Sequence, residues 1–100
     1  MPASAVDFHE EAAAEYDAAF DWYLQRSPEA ALRFSAEVDQ ALVQITRTPR
    51  RWAQGAFHTR KFLVKQFPYL LIYREKPPST VQILAIAHTS RRPGYWKDRT

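Results

Sequence analysis

The chain has 100 residues, 46% of them hydrophobic and 25% charged, with only two glycines and no cysteine, which supports one hydrophobic core and excludes disulfides and thiolate metal sites. Its net charge of +3 is strongly divided: residues 1–46 carry nine acidic side chains against Arg26 and Arg33, a balance of −7, and residues 47–100 carry twelve basic ones against Glu75 and Asp98, a balance of +10. Such a split predicts two differently charged faces, the basic one suited to a polyanion or an acidic polypeptide.

Ala5-Val6-Asp7-Phe8 alternates over a short span and reads as an opening strand. From about His9 the period changes to that of a helix, with Ala12, Tyr16, Ala19 and Tyr23 recurring on one face and Phe20 beside them. Glu10, Glu11 and Glu15 occupy its early turns, where the helix dipole favours anions, and are expected on a solvated face. Ser27-Pro28-Glu29 marks a stop and a restart, with Ser27 as cap and Pro28 in the first helical position. The second helix is expected to bury Ala31, Phe34, Val38, Ala41, Leu42 and Ile45 and to end before Pro49. So short a break between two helices predicts a hairpin.

Arg47 to Gly55 is a basic loop in which Trp52 follows Arg50 and Arg51, an aromatic side chain flanked by cations. Three strand-like segments come next, near residues 57–64, 69–75 and 80–88. Their connections through Lys65-Gln66-Phe67-Pro68 and Lys76-Pro77-Pro78-Ser79 are short enough for antiparallel hairpins. Leu70-Leu71-Ile72 and Ile83-Leu84-Ala85-Ile86 are apolar on both faces, so these two strands are expected in the middle of the sheet. The predicted fold is α+β, in the order β-α-α-β-β-β, with a small, mainly antiparallel sheet packed against the N-terminal helical hairpin. Residues 1–100 are expected to form a single domain.

The last strand runs into a tail that gathers His88, Arg91, Arg92, Tyr95 and Trp96 within nine residues. Cations, a titratable ring and stacking surfaces at one end of a sheet suit an anionic or polypeptide partner. A plainer use of Tyr95 and Trp96 is a latch that covers a sheet edge or the hairpin. No apolar run approaches the roughly 20 residues of a membrane helix. Met1-Pro2-Ala3-Ser4 lacks the basic start and apolar stretch of a secretion signal, so a cytoplasmic location is expected.

Taken in order, these residues resemble the RelE/ParE superfamily of toxins from type II toxin–antitoxin modules, and within it the ParE-like branch often labelled plasmid stabilisation proteins. The resemblance rests on the element order and on the Ala-rich helix that closes on Trp22-Tyr23. It includes the Ala31, Phe34, Glu37, Leu42, Ile45, Pro49 series, Arg60 in the second strand, and Phe67-Pro68-Tyr69 with Ile72-Tyr73. It ends with His88, Arg91-Arg92-Pro93, Tyr95-Trp96 and Arg99. It implies a compact toxin that inhibits growth, held in a hetero-oligomer by a cognate antitoxin, with no cofactor and no metal. Some members bind DNA gyrase and break no bond themselves; others cleave mRNA on the ribosome.

For the gyrase-type reading, the residues expected to bind target or antitoxin are Trp52, Arg60, Arg91, Arg92, Tyr95 and Trp96. For the endoribonuclease reading, metal-independent cleavage needs a base, a cation and an acid. His88, Arg91 and Tyr95 are the candidates, with Arg60 and Arg92 as further phosphate partners. Ribonuclease members usually carry arginine where this chain has Leu70 and Thr89, so the resemblance favours a toxin that acts by binding. A third reading is a degenerate, non-toxic module that binds its antitoxin and takes part in promoter autoregulation.

Overall fold

The computed structural model describes residues 2–99. Strand β1 (Ala5–Phe8) leads into helices α1 (Glu10–Arg26) and α2 (Pro28–Arg47), and then come β2 (Arg60–Leu63), β3 (Tyr69–Lys76) and β4 (Thr80–His88). The four strands form one sheet in the order β1-β4-β3-β2, so the two doubly apolar strands are central. β2, β3 and β4 pair antiparallel, while β1 lies parallel to the first half of β4, Ala5 opposite Thr80 and Phe8 opposite Ile83. A parallel pair needs a long connection, and here the chain between β1 and β4 runs through the helical hairpin, β2 and β3.

The helix boundaries follow from local chemistry. His9 caps α1 by accepting the Glu11 N–H on Nδ1 at 3.1 Å. Ser27 ends α1, and its Oγ accepts the Ala30 N–H at 3.2 Å to start α2, with Pro28 at the first position, where its missing N–H costs nothing. Ala31, Phe34, Val38, Ala41 and Ile45 are buried along α2, and Leu42 is half-buried against the same core. They pack on Leu71, Tyr73, Val81, Ile83 and Ile86 of the sheet, joined by stacked or edge-on rings of Tyr16, Tyr23, Phe34, Phe67 and Tyr69. The Tyr73 hydroxyl donates to the Pro49 carbonyl at 2.7 Å, and burial pushes its pKa up to about 12.

The opposite sheet face carries a second, smaller core, in which Trp96 packs with Ile72, Ala85 and Ala87. Hence the double apolarity of β3 and β4: one face meets the hairpin and the other meets the C-terminal tail.

One segment departs from the sequence reading. Residues 57 and 58 are not extended; Phe57 and His58 have φ of 59° and 58°, and Ala56–His58 forms a short 3-10 turn. Left-handed backbone cannot join a β ladder, so β2 starts only at Arg60. Phe57 projects edge-on to Trp96, ring centroids 5.9 Å apart, and extends the cover over the outer face.

Candidate interaction site

β1 stops opposite Ile83, yet β4 continues to His88, so among the described residues the second half of β4 is paired with β3 on one side and has no strand on the other. The last ladder-like contact is His9 N–H to the Ile83 carbonyl at 2.9 Å. Beyond it, side chains stand where a strand would be. The Arg99 Nη1 donates to the Leu84 carbonyl at 3.0 Å, and the Ile86 N–H donates to Glu15 Oε1 at 3.0 Å. Side chains on a bare edge satisfy its polar groups and deny it to stray strands.

Glu15 and Arg99 are bound to each other as well. Arg99 Nη1 and Nη2 donate to Oε1 and Oε2 of Glu15 at 2.9 and 3.0 Å, and the Tyr95 hydroxyl donates to Oε2 at 2.7 Å. Arg99 Nε also lies 3.5 Å from Glu11. The Glu15 side chain is 17% exposed, against the solvated position expected from the sequence. Burial by itself raises its pKa, but hydrogen bonds from Arg99, Tyr95 and the Ile86 N–H outweigh it and hold it below the usual carboxylate value. The Tyr95 phenol is pushed well above its ordinary value, first by burial and then by its bond to Glu15. The signal for Glu15 was in the sequence: it stands three residues after Ala12 and four before Ala19, both buried, so a carboxylate interrupts the apolar stripe of α1.

Past this clamp lies an open groove of about 470 Å³ between α1 and the end of β4. From α1, Glu15, Ala18, Ala19, Trp22 and Tyr23 line it, and Pro68, Tyr69, Ile86, His88 and Arg91 complete the lining. Trp22 is 51% exposed, with the Arg26 guanidinium 3.7 Å from its ring centroid.

The site residues expected from the sequence fall into two separate groups. His88, Arg91, Arg92 and Tyr95 are together at the groove's end of the sheet. His88 is half-buried; its Nδ1 accepts the Ser90 N–H at 3.1 Å and lies 2.7 Å from Ser90 Oγ. Its ring meets Tyr69 edge-on at 5.2 Å. Arg91 is exposed and stacks on Tyr95, its guanidinium 3.9 Å from the ring centroid; Arg92 is exposed. Trp96 is 7% exposed and belongs to the outer core, so its ring is a packing element and presents no stacking surface. The plainer latch reading describes it.

Arg60 and Trp52 stand apart from this group. Arg60 is opposite Tyr73 and His88 is opposite Tyr69, four residues along β3, or about 13 Å. Arg60 Nη1 donates to the carbonyls of Trp52 at 2.8 Å and Arg50 at 3.2 Å, pinning the basic loop to β2. Trp52 is half-buried edge-on against Phe62 at 4.6 Å, with Arg51 4.9 Å above its ring. Among the described residues no cluster of three or more His, Asp or Glu is placed to hold a metal ion, and no helix is long and apolar enough to cross a membrane.

Three comparisons with known proteins bear on this arrangement. A family model described as the ParE toxin of the type II toxin–antitoxin system parDE matches residues 6–93. Among solved structures, a chain of the chromosomal ParDE toxin–antitoxin system from P. aeruginosa superposes with a TM-score of 0.72 at 23% identity, covering 84% of this chain and 94% of that one. No curated protein matches the sequence.

Proposed function

Because the chain belongs to the ParE toxin family of type II toxin–antitoxin systems, we propose that a cognate antitoxin neutralises it and that, released, it acts by binding DNA gyrase and cuts no RNA. The observation that carries this reading is the commitment of the groups a ribonuclease would need. The Tyr95 proton is held by Glu15, a poor arrangement for a general acid. Arg60 is spent on loop carbonyls, away from His88. His88 has no carboxylate at its Nδ1, only Ser90. What stays exposed, Arg91 and Arg92 beside an aromatic-walled groove, suits recognition of a macromolecule.

Induction of the chain in growing cells tests it. Growth arrest with gyrase-dependent DNA breaks and intact transcripts is the expected result. Codon-positioned mRNA cuts mapped by primer extension, lost in His88→Ala, overturn it in favour of ribosome-dependent cleavage. Growth without arrest leaves the non-toxic, antitoxin-binding module.

A further inference from the structure

We propose that the outer face of the sheet around Phe57 and Leu63 is the surface by which the released toxin holds its target, a protein surface with an apolar recess for these two side chains and carboxylates at its rim. This rests on the binding-toxin reading above and specifies where, and by what chemistry, the target is held.

A strained turn that keeps a large ring in water is the first ground. Phe57 and His58 are consecutive residues with left-handed backbone, φ 59° and 58°, a conformation that bulky side chains rarely adopt. Thr59, 2% exposed, locks the turn. Its N–H and its Oγ1 both donate to the Ala56 carbonyl, at 3.2 and 2.6 Å, and its own carbonyl accepts the Gly55 N–H at 2.7 Å. Strain of this kind persists where the surrounding bonds over-determine it, and it collects at functional sites. What the turn achieves is the position of the Phe57 ring, edge-on to Trp96 yet 53% exposed. Covering Trp96 does not use up Phe57. A ring fixed before contact loses little freedom on binding, and such aromatic anchors dominate protein interfaces.

Leu63 shares this face. It stands opposite Leu70, and Lys61 stands opposite Ile72; Leu70 and Ile72 both pack with Trp96 in the outer core. Leu63 is itself 60% exposed and belongs to neither core. Around it the charge has one sign. Lys61 and Lys65, two residues to either side, are exposed, and the chain carries no carboxylate from Gln40 to Arg74. Glu75 is bonded to Arg50, and Asp98, the other carboxylate of the basic half, is in the terminal turn.

These cations select an acidic occupant. A second copy would set Lys61 and Lys65 against the same lysines, like charge on like. A nucleic-acid backbone would answer the cations and give Phe57 and Leu63 nothing apolar to bury. An acidic protein surface answers both. β3 separates β2 from β4, and the patch faces away from α1, so it lies apart from the groove beside β4.

The experiment measures, by calorimetry, binding of the full chain to purified DNA gyrase and to the small protein encoded beside it. Phe57→Asn removes the ring and keeps a residue that tolerates left-handed backbone. Leu63→Glu places an acid at an exposed position of the patch. Each weakens gyrase binding by about tenfold or more, the loss expected on removing an anchor. Affinity for the neighbour and the thermal midpoint of the free chain stay those of the parent. Lys61→Glu makes gyrase binding less salt-dependent. Parent-level gyrase affinity in both Phe57→Asn and Leu63→Glu overturns the inference and leaves the gyrase reading standing. Loss of the neighbour's binding in the same two variants assigns the patch to that protein and overturns it. Dimers of the free chain that Leu63→Glu dissolves, or binding to a bare DNA duplex that Lys61→Glu abolishes, overturn it in favour of a second copy or a nucleic acid. If the parent chain does not bind gyrase, both readings fall.

Discussion

Glu15 of α1 and Arg99 of the C-terminal turn, 84 positions apart in the chain, meet in two near-parallel hydrogen bonds of 2.9 and 3.0 Å. Both reach past each other to the β4 backbone, at Ile86 and Leu84. The pair thereby ties the hairpin, the sheet edge and the tail at one point, with Tyr95 as third partner. Trp96, between Tyr95 and Arg99, is drawn onto the outer face of the sheet, so the tail wraps the bare edge from one face to the other.

Removing either partner leaves the other charge poorly solvated, with side-chain exposures of 11% for Arg99 and 17% for Glu15. Glu15→Ala also strips the Ile86 N–H of its acceptor. Each single variant, Glu15→Ala or Arg99→Ala, is expected to lower unfolding free energy by about 2–4 kcal/mol, as for partly buried pairs broken on one side. The double variant should cost clearly less than the two losses combined, a coupling that urea denaturation of all four proteins measures.

The same network contributes to the pH dependence of stability on both the acid and the alkaline side. The Glu15 pKa is lowered in the folded chain, so its contribution is complete above the unfolded value near 4.5 and is lost as pH falls through the lower folded value. The Tyr95 pKa is raised, so its contribution is complete below the unfolded value near 10 and fades as pH rises through the higher folded one. Urea midpoints between pH 2 and pH 7 should fall less steeply for Glu15→Gln than for the parent chain. Equal slopes would remove Glu15 from the account.

Arg60 predicts a local effect. Its guanidinium holds two carbonyls of the Arg50–Trp52 loop, so Arg60→Ala should free that loop without unfolding the sheet, at about 1–2 kcal/mol for two charge-assisted bonds on a partly exposed group. Limited trypsin digestion reads this directly, with faster cleavage after Arg50 or Arg51. Arg60→Lys should rescue little, because one ammonium does not reproduce the planar donor set.

Much of the fold was legible in the sequence because it is written in local chemistry. Ser27-Pro28 marked the hairpin turn, and the doubly apolar 70–72 and 83–86 runs placed β3 and β4 centrally. What was not legible depends on distant partners. The parallel pairing of β1, the left-handed backbone at Phe57 and His58, and the choice of Arg99, 84 residues on, as the partner of Glu15 leave no periodic trace. Of the residues singled out from the sequence, His88, Arg91, Arg92 and Tyr95 lie at one end of the sheet. Arg60 and Trp52 lie elsewhere, Arg60 bonded to the loop carbonyls and Trp52 packed on Phe62, contacts that residue type alone does not disclose. The groove itself was invisible, because it exists where β1 ends and β4 does not.

Tyr95→Phe separates the structural and catalytic uses of that hydroxyl. As a structural donor it contributes one charge-assisted bond to Glu15, which keeps its bonds to Arg99 and Ile86 when the hydroxyl is gone. The expected cost is about 1–2 kcal/mol in unfolding free energy, with Trp96 still seated. Arg91 stacks on the ring face, which phenylalanine retains, so recognition through Arg91 is expected to persist. Growth arrest by Tyr95→Phe should therefore match that of the parent chain once expression levels are equalised. Loss of arrest in a variant that stays folded by circular dichroism would mean that the hydroxyl acts on a target, and the latch alone would no longer account for it.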